Sequence, residues 1–145
     1  MQDYKKILPT WFWIIAIISV LWNIMGIISF MAHTFISDEV LKTLSVEEQS
    51  LYNDYPLWTS IIFIVAVLSG LLGSVALLAR KKISLLIFQI SLVAIVIQMT
   101  HNIFFTPSIA VFGLAQAITM PIIVIVYAVF LVWFSKYSIA KNWLR

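Results

Sequence analysis

The sequence predicts an all-α membrane protein, a four-transmembrane-helix bundle with both termini cytoplasmic and an amphipathic, partly helical first outer loop. Its 145 residues are 63% hydrophobic and 10% charged, whereas soluble domains are about half apolar and about a quarter charged. The apolar residues collect in four stretches, each near the ~20 residues that a helix needs to cross a bilayer. Basic and acidic residues separate onto opposite sides of these stretches, and this separation predicts the orientation.

One membrane domain, residues 1–145, contains all the predicted spans. Span 1 begins at Pro9, which suits the first turn of a helix because no backbone N–H is needed there. An outer loop of residues 34–56 separates spans 1 and 2. The first three spans cover residues 9–33, 57–79 and 83–104.

Span 4 has two possible starts. The apolar stretch of residues 108–134 is too long for one upright helix and contains Gly113 and Pro121. Either one kinked helix runs through it, or residues 108–115 form a short surface or re-entrant turn before a span over residues 116–136. We favour the second arrangement because glycine and proline both interrupt helices.

The triplet Arg80-Lys81-Lys82 lies between spans 2 and 3 and is the densest group of basic residues. The positive-inside rule therefore places it, with both termini, in the cytoplasm. A triplet falls short of the roughly four or more basic residues typical of an anionic-lipid site, so we interpret it as a topology signal. The other inner basic residues are Lys5, Lys6, Lys136, Lys141 and Arg145, and the outer side carries Asp38, Glu39, Glu47, Glu48, Asp54 and Lys42.

The outer loop carries two helix-start signals. Ser37 can cap a helix, with Asp38 and Glu39 favourably placed in its first turn. Ser45 and Glu48 have the spacing of a capping box. The loop is therefore either an amphipathic cover over the bundle or an external lid that docks a partner.

Several function classes lack the residues that they need. No Asp or Glu lies inside a predicted span, and Lys136 at the end of span 4 is the only Lys or Arg within the bounds, which argues against a proton-coupled pump built on a mid-membrane carboxylate. The chain has no cysteine and none of the common enzyme motifs, such as H-E-x-x-H or the P-loop. Its basic residues are too few and too scattered for nucleic acid. We therefore expect a protein that is not an enzyme.

Two stripes of polar and small residues run along spans 1 and 3, each at the spacing of one helical face. If the stripes face each other, polarity increases toward the outer surface and they line a cleft for a small neutral solute or a lipid headgroup. The alternative is interhelical hydrogen bonding, which is common in small bundles. The candidate solute-pathway residues are Ser19, Asn23, His33, Gln98, His101 and Asn102.

His33 and His101 both lie near the outer ends of their spans. Imidazoles can ligate a metal ion or a haem, so a bis-histidine redox site is one alternative. No third ligand stands at a diagnostic spacing, and we expect no metal and no cofactor. The other alternative is a pair of interfacial histidines with solvent or backbone partners.

Span 2 carries one smooth face of small residues. Such residues let helix backbones approach closely in a membrane. The face predicts close packing, either inside the bundle or against a second copy or another membrane partner. Its members are Ala66, Ser69, Gly70, Gly73 and Ser74.

Four segments carry a family resemblance. They are Leu21-Trp22-Asn23-Ile24-Met25-Gly26, Gly73…Arg80, Val96-Ile97-Gln98-Met99 and Leu131-Val132-Trp133-Phe134…Trp143-Leu144. The chain resembles a family of small four-span bacterial inner-membrane proteins, many of which carry the label sugar transporter. The resemblance implies that location and fold, and no particular site residue. The chain lacks the Pro-Gln pair of small sugar-transporting bundles and the first-span glutamate of small multidrug exporters.

The leading hypothesis is an integral inner-membrane protein that binds or passes a small neutral solute such as a sugar. A second is a structural or accessory subunit, held to a membrane partner through the small face of span 2 and the outer loop. A third is a redox protein built on the two histidines. The lipid bilayer is a partner in all three.

Overall fold

The structure is a computed structural model that describes residues 7–145, so Lys5 and Lys6 lie outside the described residues. The described chain is helical and contains no strand. Four of its helices are long and apolar enough to cross a membrane, namely α1, α4, α5 and α7, and the predicted all-α, four-span fold is confirmed. The helices are α1 (Thr10–Thr34), α2 (Asp38–Leu41), α3 (Val46–Asn53), α4 (Leu57–Leu78), α5 (Ser84–Phe104), α6 (Ser108–Phe112) and α7 (Leu114–Ala140).

The spanning helices pack in the order α1, α4, α5, α7. Helix α4 packs against both α1 and α5, and α5 packs against α7. Large aromatic side chains join α1 to α7, with ring centroids 4.9 Å apart for Trp22 and Tyr127 and 5.8 Å apart for Phe12 and Phe134. The four helices therefore form one bundle, in which the most extensive backbone packing is between α4 and α5.

The last spanning helix begins at Leu114, two residues before the start that we favour from the sequence. A short helix, α6, is separated from α7 by Gly113, whose φ of 79° belongs to the left-handed region that glycine adopts at little cost. Helix α7 then runs from Leu114 through Pro121 to Ala140. The expectation that Pro121 helps to interrupt this stretch is wrong, because a proline is tolerated within a membrane helix when neighbouring groups satisfy the backbone.

The segment between α1 and α4 is partly helical, as predicted. The Ser37 hydroxyl accepts a hydrogen bond from the Val40 backbone N–H, and Ser45 with Glu48 forms a capping box before α3. The backbone and side-chain hydrogen bonds from Ser45 lower the pKa of the Glu48 carboxyl. This cap therefore stays intact above the ordinary pKa of a glutamate and weakens only as the pH falls below it.

Two helices end in the same way at the opposite end of the bundle. Arg80 after α4 has a φ of 61°, and Asn142 after α7 has a φ of 58°. The Lys81 N–H donates back to the Ala76 carbonyl at 2.8 Å, and the Trp143 N–H donates to the Ser138 carbonyl at 2.9 Å. Both ends are Schellman motifs, and each turns the chain back toward the bundle.

The residues after α7 then pair with the basic turn after α4. The Arg145 N–H donates to the Arg80 carbonyl at 2.7 Å, and the Lys82 N–H donates to the Arg145 carbonyl at 3.0 Å. The Arg80 Nε–H donates to the Trp143 carbonyl at 2.9 Å. The basic triplet is therefore also an attachment point for residues 143–145.

The left-handed conformation at Asn142 predicts opposite effects for two substitutions. Asn142→Gly is expected to keep or slightly raise the melting temperature, because glycine adopts this φ without strain. Asn142→Val is expected to lower the free energy of unfolding by about 2 kcal/mol, because a β-branched side chain clashes there. Thermal unfolding of the purified protein in micelles measures both, and equal melting temperatures for the two variants would contradict the Schellman geometry.

Candidate functional site

The polar residues of α1 are held within the bundle. Ser19 is buried, and its hydroxyl donates to the Ala16 carbonyl of its own helix at 2.8 Å. The Asn23 side-chain N–H₂ donates to the Ser19 carbonyl at 2.8 Å and to the Ser74 hydroxyl of α4 at 3.0 Å. The Ser74 hydroxyl in turn donates to the Gly70 carbonyl at 2.8 Å. Asn23 thus joins α1 to α4 rather than facing an open path.

Gly70 is the point where three helices meet. The Asn23 side-chain oxygen lies so close to the Gly70 Cα that a Cβ there would overlap it, and that Cβ would stand 3.3 Å from the Ser91 hydroxyl of α5. Ser91 donates to the Ala66 carbonyl at 2.8 Å. The missing side chain of Gly70 therefore lets polar groups of α1 and α5 converge beside α4.

A cavity of about 20 Å³ lies beside this contact, with Asn23, Ser91 and Tyr127 among the side chains that line it. The Tyr127 hydroxyl is buried and has no hydrogen-bond partner among the described residues. A water molecule needs roughly 10–15 Å³ of such space. The cavity is therefore the size of one water and far too small for a sugar.

The predicted cleft between the stripes of spans 1 and 3 does not form. Both helices direct their stripes at α4, which packs between them. A Cβ on Gly26 would lie 3.3 Å from the Val67 side chain, and the Phe30 ring meets the Phe63 ring at 5.3 Å. Gly26 and Phe30 lie on the same face of α1 as Asn23, so this face is used for helix packing along most of its length.

The small-residue face of α4 points into the bundle. Ala66, Gly70, Gly73 and Ser74 are buried, and Ser69 is partly buried. A Cβ on Gly73 would lie 2.8 Å from the Phe88 ring of α5. Because α1 and α5 already cover this face, it is not left for a second copy or an accessory partner.

The C-terminal end of α5 is polar and aromatic, in contrast to the helix packing described above. Gln98 is 1% exposed and His101 is 7% exposed. The Gln98 side-chain N–H₂ donates to the Tyr55 hydroxyl. Aromatic rings surround His101, with centroids 5.1 Å away for Trp58 and 5.9 Å away for Phe105.

Three buried polar atoms at this end have no hydrogen-bond partner among the described residues. They are Gln98 Oε1, His101 Nδ1 and Asn102 Oδ1. Positions separated by three and four residues share one face of a helix, so these atoms belong to a single turn of α5. Buried polar groups are nearly always hydrogen-bonded to protein or to ordered water, so these atoms are available to water or to a bound solute.

Tyr55 connects this turn to α1. Its ring meets the His33 ring at 4.6 Å and the His101 ring at 5.9 Å. His33 also stacks on the Tyr52 ring at 4.8 Å. A group ligated by both imidazoles would have to displace the Tyr55 ring, and residues 7–145 contain no cluster of three or more His, Asp or Glu that could hold a metal ion.

The protonation of Tyr55 follows from its surroundings. Burial raises the pKa of the Tyr55 phenol, and hydrogen bonds with Gln98 and Thr59 act in the opposite direction. The hydroxyl therefore keeps its proton at neutral pH and remains able to donate a hydrogen bond.

Tyr55, Trp58 and Phe105 are not among the site residues predicted from the sequence. Each of them stands at one end of a spanning helix, where aromatic residues are ordinary interface anchors. Only their contacts with Gln98 and His101 distinguish them from such anchors. Comparison of the chain with protein-family models, curated proteins and solved structures finds no match.

Proposed function

We propose that the protein is a multi-pass protein of the bacterial inner membrane that binds a small neutral solute rich in hydroxyl groups, such as a sugar, at the outer end of α5. The observation that carries the proposal is the group of three unpaired, buried polar atoms on Gln98, His101 and Asn102. Binding sites combine a few such polar groups with apolar and aromatic walls.

The chemistry of the unpaired atoms favours hydroxyl groups. A hydroxyl both donates and accepts, so it can pair with either end of an amide and with either tautomer of an imidazole. The rings of Trp58 and Phe105 beside His101 offer flat apolar surfaces to the C–H faces of a sugar.

A route to the site leads past Phe105. Its side chain is 75% exposed and stacks on the His101 ring with an angle of 12° between the planes. Trp58 on the other side of His101 is also exposed. Rotation of these two side chains would open His101 without a change in the helix packing.

The orientation belongs to the same proposal. The basic residues 80–82 stand at one end of the spans, and the described acidic residues stand at the other, in residues 38–54. The positive-inside rule favours a cytoplasmic location for the basic end and for both termini. The solute would then reach the site from the outer face, while the tight contacts at Asn23 leave no continuous path inward.

Ligand-induced stabilisation tests the proposal. A panel of neutral sugars and polyols is expected to contain a compound that raises the melting temperature of the wild-type protein. Gln98→Leu is expected to weaken its binding about 10-fold, because a hydrogen bond to the solute is lost. His101→Phe keeps the aromatic ring and is expected to act in the same direction.

Gln89→Leu is the matched control, because Gln89 is exposed on the same helix and lines a surface groove with Ile62 and Val65 of α4, apart from the turn that carries Gln98. It is expected to bind the compound like the wild type. The proposal fails if no member of the panel stabilises the wild type, or if Gln98→Leu binds the compound unchanged.

A further inference from the structure

The junction between residues 80–82 and 143–145 gathers more positive charge than the sequence suggests. Backbone hydrogen bonds hold Arg145 to Arg80 at 2.7 Å and to Lys82 at 3.0 Å. The side chains of Lys81, Lys82 and Arg145 are exposed, and Arg80 is half-buried and fixed to the Trp143 carbonyl. Arg145 thus joins the basic triplet, and the junction contains four basic residues.

No acidic side chain of the described chain lies near this group. Every Asp and Glu of residues 7–145 falls within residues 38–54, at the opposite end of the spans. Even where Arg145 carries a free carboxylate, four cations and one anion leave a net charge of +3. The positive charge of this junction is therefore not neutralised by any acidic side chain of the described residues, and an external anion can bind there.

Aromatic residues place the junction at the depth of lipid headgroups. The Trp143 ring meets Trp11 at 5.2 Å and Tyr137 at 5.5 Å, and Lys141 Nζ lies 5.5 Å from the centre of the Tyr137 ring. Tryptophan and tyrosine concentrate at the boundary between the hydrocarbon core and water. The exposed cations beside these rings are therefore level with phosphate groups of the membrane.

We propose that this junction binds the phosphate headgroup of an anionic phospholipid. Clusters of about four or more Lys or Arg directly beside a membrane helix are typical of anionic-lipid sites. The triplet alone does not reach that number, and the paired segment supplies the missing residue. The site is separate from the outer end of α5, so it does not depend on solute binding.

Lipid titration of the purified protein in micelles tests the site. Phosphatidylglycerol is expected to raise the melting temperature at concentrations where phosphatidylcholine has no effect. Each cation removed is expected to weaken phosphatidylglycerol binding about 5-fold, so the double variant Lys81→Gln, Lys82→Gln should bind about 25-fold more weakly. The side chains of both lysines are exposed, so the variant should fold. Lys42→Gln, on the outer segment, is the control and should bind like the wild type.

Arg145→Gln tests whether residue 145 contributes charge to the site. The variant keeps the backbone pairing with residues 80 and 82 and removes only the exposed positive charge. It is expected to weaken binding about 5-fold. The proposal is overturned if phosphatidylcholine stabilises equally, if the lysine double variant or Arg145→Gln binds unchanged, or if inorganic phosphate alone binds with the affinity of the lipid.

Discussion

Gly70→Ala is expected to lower the free energy of unfolding by about 3 kcal/mol, more than alanine at any other glycine of the spanning helices. The added Cβ would overlap the Asn23 side-chain oxygen. Two hydrogen bonds, to the Ser19 carbonyl and the Ser74 hydroxyl, hold that side chain in place. The substitution must therefore break them or separate α1 from α4.

Gly26→Ala is the control for this prediction, because its Cβ would meet Val67 at a tolerable 3.3 Å. It is expected to change the free energy of unfolding by less than about 1 kcal/mol. Asn23→Ala removes the atom that clashes, so Gly70→Ala should cost less in that background than in the wild type. Reversible unfolding in detergent measures the wild type, the three single variants and the double variant. The proposed contact would be contradicted if the effects of Asn23→Ala and Gly70→Ala on the free energy of unfolding were additive. Equal losses for Gly26→Ala and Gly70→Ala would also contradict it.

Trp143→Ala is expected to lower the free energy of unfolding by about 3 kcal/mol. Its ring packs between α1 and α7, with centroids 5.2 Å from Trp11, 5.8 Å from Phe12 and 5.5 Å from Tyr137. The neighbouring Leu144 is fully buried in the same aromatic core. Loss of the ring leaves a cavity at the point where residues 143–145 join the bundle.

Trp133→Ala serves as its control. Trp133 is 55% exposed and touches Phe130 and Tyr137 from the outside of the bundle. Its removal is expected to cost about 1 kcal/mol, the value of its ring pairs. The same unfolding experiment compares the two variants. An equal loss for both would show that residues 143–145 do not form part of the folded core.

The spans and caps could be predicted because their signals are local. Apolar length alone defines a membrane helix, and four such helices are present. The capping box at Ser45 and Glu48 depends on residues three positions apart. The small face around Gly70 likewise predicts close packing from one helix, although the sequence does not say which helices cover it.

The contacts that define the two proposed sites, at the end of α5 and at the basic junction, are not local. Tyr55 and Gln98 are 43 positions apart, and Arg80 and Trp143 are 63 apart. No periodicity within one helix encodes such a pair. The left-handed turns at Arg80 and Asn142 could not be predicted from the sequence either, because neither position carries the glycine that is usual at such helix ends.

Nitrogen NMR of the histidine side chains tests solute binding at α5 most directly. The chain contains two histidines, so ¹⁵N-histidine labelling gives two sets of ring signals, and His33→Asn assigns them. Addition of the stabilising solute is expected to shift the His101 Nδ1 resonance, as an unpaired buried nitrogen gains a hydrogen bond. Saturating solute that stabilises the protein but leaves the His101 resonances unchanged would contradict a binding site at this turn of α5.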